Sequence, residues 1–121
     1  MSNQTRNNLK EYISLSDKKA KKQKKEFYLY KSVLVFMKDP FPVPIDIERV
    51  LRDVELKIPG DMVVRALDTV YVGSFPKLLD SGGHTAKYED GAIYISNEQF
   101  DEQDFFRDLV HEISHAIDAL Y

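Results

Sequence analysis

A chain of 121 residues with 43% hydrophobic and 12% aromatic side chains has the length and apolar content of one domain with a modest core. It has no cysteine, which excludes a disulfide framework and a thiolate zinc site and leaves nitrogen and oxygen as the only metal donors. The net charge of −3 is unevenly spread: residues 1–40 hold 10 Lys/Arg against 4 Asp/Glu and residues 41–121 hold 7 against 16, so the acidic body argues against nucleic-acid binding by a basic face of the domain.

The opening stretch MSNQTRNNLKEY lacks the apolar region of a signal peptide, and the longest apolar run, VLVFM, is far too short to span a bilayer. A cytoplasmic protein without a membrane span is expected. Residues 1–25 read as a basic arm with Lys18, Lys19, Lys21, Lys22, Lys24 and Lys25 packed together, and Ser16 or Asp17 is placed to cap a short helix there. Such a run is ordinarily a solvated face. A tether to nucleic acid, to a membrane surface or to a partner is the alternative, and the absence of interleaved aromatics speaks against base stacking.

EFYLYKSVLVFMKDP, rich in aromatic and β-branched residues, predicts a buried strand over Tyr30 to Met37, with a buried helix as the competing assignment. After the prolines of FPVP, Ile47, Val50, Leu51 and Val54 recur at helical spacing up to Pro59-Gly60, which predicts a helix over 46–56. DMVVRAL reads as a further short helix and TVYVGSF as a strand of about five residues. KLLDSGGH is a loop, and TAKYEDGAIYIS places Asp90-Gly91 between two short strand-like runs, the strongest hairpin signal in the chain. From Asp101 onward no Gly or Pro interrupts DEQDFFRDLVHEISHAIDALY, and acids fill its first turn, so one helix over 101–121 is predicted. The expected class is α+β, a small mixed sheet with a hairpin edge strand packed on the C-terminal helix.

That helix carries the chemistry. At about 100° per residue, with His111 at zero, His115 lies near ~40°, Asp108 near ~60° and Asp118 near ~340°, whereas Phe106, Leu109, Val110, Ile113, Ile117 and Leu120 fall between roughly 160° and 260°. Both histidines stand on the polar face one turn apart and can converge on a single ion, for which zinc suits two neutral imidazoles. Glu112, at about 100°, sits beside the pair, where a carboxylate can act as general base toward water rather than as a ligand. The bland alternative is a solvated polar face without chemistry.

On these residues a resemblance becomes visible. VHEISHAID resembles the active-site helix of the zincin (HExxH) zinc metallopeptidases. YEDGAIYISNEQFDEQDFFRDLVHEISHAID as a whole is similar to zincin-like proteins of tailed phages and mobile elements, with a more distant likeness to the anthrax lethal factor-like peptidases. The likeness covers roughly residues 88–118. It implies a zincin-like fold, a Zn2+ cofactor held by His111 and His115, Glu112 as catalytic base in peptide-bond hydrolysis, and a protein or peptide substrate. It further implies that Ile93, Tyr94, Ile95 and Ser96 form the edge strand along which an extended substrate is laid.

Where the long zincin pattern has a third histidine this chain has Tyr121, and where it has glycine there is Asp118. A phenol is a poor imidazole substitute at neutral pH. Members that take a glutamate from a later helix would need sequence beyond these residues, so 26–121 is expected to be the N-terminal part of a longer zincin-like domain whose third ligand lies elsewhere. Within the chain, His84, Asp80, Glu89 and Asp118 are the candidates, with Asp118 better suited to orient a histidine's second nitrogen. The alternative function is an inactive zincin-like binding or structural module tethered by its lysine-rich arm.

Overall fold

The computed structural model describes residues 24–79 and 85–121. Most of the lysine-rich arm, including the helix cap expected at Ser16 or Asp17, lies outside the described residues, as do Asp80 and His84. Strands β1 (Glu26–Leu29) and β2 (Val33–Met37) are followed by helices α1 (Ile47–Lys57) and α2 (Gly60–Ala66), strand β3 (Thr69–Gly73) and a single turn α3 (Pro76–Leu79). Strands β4 (Ala86–Glu89) and β5 (Ala92–Ser96) then lead into helix α4 (Glu102–Leu120). The five strands form one mixed sheet in the order β1-β2-β3-β5-β4, parallel between β2, β3 and β5 and antiparallel at both margins.

The expected strand over Tyr30–Met37 is instead the turn and second arm of a hairpin. Its connection carries Tyr30 at φ 52° and Lys31 at φ 59°, a left-handed conformation that neither side chain favours. Contacts from α1 hold it: Glu55 Oε2 accepts the Tyr30 N–H at 2.7 Å, and the Tyr30 hydroxyl donates to the Ile58 carbonyl at 2.5 Å. No glycine or asparagine announced this turn, because partners distant in sequence stabilise it. Asp90-Gly91 behaves as its sequence suggests, with φ of 49° and 82°.

Helix α1 begins where the Asp46 carboxylate accepts the Arg49 N–H at 3.2 Å and stops before Pro59. Its buried stripe, Val50, Leu51 and Val54, meets Val33 and Val35 of β2, Val70 and Val72 of β3, Ile93 and Ile95 of β5, and Phe105, Leu109 and Ile113 of α4 in one core. Alternation along each strand therefore sends one set of side chains to the helices. The opposite set, Phe36, Tyr71 and Tyr94, forms an aromatic row across the other face, with the Tyr71 and Tyr94 rings stacked at 5.3 Å. Among the described residues no helix is long and apolar enough to cross a membrane.

Helix α4 starts at Asp101, whose side chain accepts the Asp104 N–H at 2.9 Å, and packs on α1, α2, β4 and β5. Its fully buried residues are Phe105, Leu109, Ile113 and Ala116, with Phe106, Val110 and Ile117 only partly covered and Leu120 exposed. The core face is thus turned toward the Glu112 side relative to the expected stripe. Phe105 is fully buried on this side and packs against Phe41, with ring centroids 5.0 Å apart.

Candidate metal centre

His111 and His115 are both exposed, and their Nε2 atoms stand 3.0 Å apart with the rings nearly perpendicular at 88°. Two nitrogens each about 2.0–2.1 Å from one tetrahedral zinc would be separated by about 3.3 Å, so this pair is close to chelating geometry. Glu112 is 6% exposed, and donor atoms of His111, Glu112 and His115 all lie within 4.8 Å of one another. Glu112 makes no hydrogen bond among the described residues, yet no side-chain oxygen shut off from solvent there lacks a partner. Glu112 is thus largely buried, with its carboxylate beside the imidazoles. Two imidazoles and an adjacent carboxylate fit a divalent zinc and a polarised water in donor type and spacing.

The orientation of the site follows from the helix wheel. Lys57 of α1 lies over the Phe106 ring at 5.8 Å, so the Phe106 side of α4 faces α1. His115 lies about 180° around the helix from Phe106. The stripe of Asp108, His111 and His115 is consequently directed away from α1.

The expected substrate strand requires correction. Ile93–Ser96 is an interior strand, paired with β3 on one side and β4 on the other, so its backbone has no free edge for a peptide. Ile93 and Ile95 are fully buried, and Tyr94 faces the aromatic row on the far side. A hairpin signal locates two strands without saying which is outermost, and the parallel pairing of β5 with β3 decided it. Among the described residues the outermost strand at this end of the sheet is β4. The Ser96 N–H donates to the Thr85 carbonyl at 2.8 Å, so the register turns Lys87 and Glu89 inward and leaves the N–H and C=O of Ala86 and Tyr88 facing outward.

Asp118 is exposed, and no hydrogen bond joins it to either imidazole among the described residues. Glu89 is exposed near Lys87 at 3.8 Å and stands outside the His111-Glu112-His115 group. One polar residue near the site escaped the sequence reading: Gln99, 5% exposed, whose carboxamide nitrogen donates to the Ser96 carbonyl at 2.9 Å and to Asp108 Oδ2 at 3.0 Å. A glutamine in a loop carries no spacing signal that would have singled it out. No family model matches the chain, and no curated protein or solved structure matches it either.

Proposed function

We propose that this chain is a zinc-dependent peptidase domain of zincin type. The observation that supports it is the exposed pair of imidazoles with converging Nε2 atoms 3.0 Å apart, flanked by a carboxylate whose stem is buried. His111 and His115 would hold the ion, and zinc, when bound, supplies a Lewis acid that polarises the scissile carbonyl and acidifies water. Glu112 takes the proton of the attacking water and returns it to the leaving amine nitrogen. Its carboxylate lies within 4.8 Å of the imidazole donors, close enough to act on water at the site. An extended substrate adds to the outer margin of β4 through the outward amides of Ala86 and Tyr88. A catalytic zinc takes three protein ligands, so with Glu112 acting as base a further ligand besides His111 and His115 would be needed.

Elemental analysis and casein hydrolysis test the proposal together. Wild type should carry one zinc and cleave, whereas Glu112→Gln should keep the zinc and lose about 10²–10⁴-fold in rate. Protein without stoichiometric zinc would defeat it. A second reading is a zincin-shaped binding module without turnover, in which the His111-Glu112-His115 group holds a metal and does no further chemistry. In that case zinc is bound and neither protein cleaves.

A further inference from the structure

Resting on the metal-centre reading, we infer that Gln99 is a positioning residue that sets the rotation of helix α4 through Asp108. Gln99 is buried, and both hydrogens of its amide nitrogen are committed, one to the carbonyl of Ser96 at the end of β5 and one to Asp108. Asp108 precedes His111 by three residues and His115 by seven, so the bridge grips the helix on the stripe that carries the ligands. The other buried residues of α4 are apolar, Phe105, Leu109, Ile113 and Ala116, apart from Glu112, and a further polar tie to the body is the exposed Arg49–Glu102 ion pair at 3.1 Å in its first turn. Apolar burial is non-directional and resists separation better than rotation, whereas a hydrogen bond is directional.

Rotation matters for any zinc ligand supplied by another element. Turning the helix by about 10° moves an atom roughly 6 Å from its axis by about 1 Å. A metal–ligand bond tolerates only about 0.2 Å. The bridge thus determines whether donors on α4 and donors elsewhere meet at one point, while leaving the mutual spacing of His111 and His115 unaffected.

The test measures zinc affinity by chelator competition and the visible spectrum of the cobalt(II)-loaded protein, on variants that circular dichroism shows to be folded. Gln99→Glu sets two carboxylates against each other and Asp108→Ala removes the acceptor; each should weaken zinc binding about 10-fold or more and change the cobalt spectrum. Asp108→Asn keeps an acceptor without the charge and should stay within about threefold of wild type. If Gln99→Glu does not fold, Asp108→Ala, a truncation of a half-buried side chain, decides the matter. Wild-type affinity and spectrum in the folded Gln99 and Asp108 variants would overturn the inference while leaving the metal centre standing. So would equal losses in Asp108→Asn and Asp108→Ala, which would assign the effect to charge. Absence of zinc binding by wild type would overturn both.

Discussion

Three consecutive residues of α4 have different fates. His111 is exposed, Glu112 is buried along its stem, and Ile113 is fully buried, because successive residues lie about 100° apart and the core covers only one side. Substitution effects should divide accordingly. His111→Ala should abolish zinc binding and change unfolding free energy by less than about 1 kcal/mol in urea titrations, as expected at a surface position. Ile113→Ala should cost about 2–5 kcal/mol, through lost burial and the cavity left behind. A large stability loss at His111 in metal-free protein would mean that the imidazole pair is structural. The HExxH residues were legible in the sequence because their spacing is local to one helix. The burial of Glu112 was not, since the wheel gives relative angles and only the packing of the whole chain sets the absolute one.

At the level of elements, the two hairpin turns make opposite predictions. Lys31 is exposed at φ 59°, so Lys31→Gly relieves left-handed strain and should raise stability by about 0.5 kcal/mol after glycine's entropic cost. Gly91 has φ 82°, and a Cβ there would stand 2.9 Å from Asp68 Oδ2, so Gly91→Ala should cost roughly 1–3 kcal/mol. Thermal melts of both variants check the signs. Asp39 joins the ends of β2 and β3: its carboxylate accepts the Ser74 N–H at 2.9 Å and the Lys38 ammonium at 3.0 Å, which lower its pKa, the Ser74 bond most. A depressed carboxylate stabilises the fold above its unfolded value near pH ~4 and ceases to do so as pH falls through the folded value. Asp39→Asn should therefore be less stable than wild type at neutral pH, with the gap closing in acid denaturation series below about pH 4.

For the whole molecule, strand order decides where a substrate can lie. In the proposed reading the substrate lies along the outer margin of β4, the terminal strand that packs against α4. A peptide substrate bound there pairs with the amides of Ala86 and Tyr88, so N-methylation of the substrate amides that meet them should raise KM by about 10-fold per position, close to the loss of one hydrogen bond with its partner left unpaired. Steady-state kinetics on N-methyl scanned peptides would show it, and uniform tolerance of methylation would exclude strand addition at β4.

By itself the sequence determined what depends on near neighbours. The α4 span and its acidic start, the α1 stripe of Val50, Leu51 and Val54, the Asp90-Gly91 turn and the pairing of His111 with His115 all rest on periodicity or dihedral preference within a few residues. The tertiary structure alone decided three things: that Tyr30-Lys31 turns rather than extends, that β5 is interior and β4 the edge, and that Gln99 reaches Asp108 beneath the histidine stripe. Each depends on a partner that local pattern does not specify, namely Glu55 on α1, β3 alongside β5, and the carbonyl of Ser96 at the end of β5. Strand pairing and buried hydrogen bonds are selected by the packing of the whole chain, which is why the donors of this site could be read in advance and their setting could not.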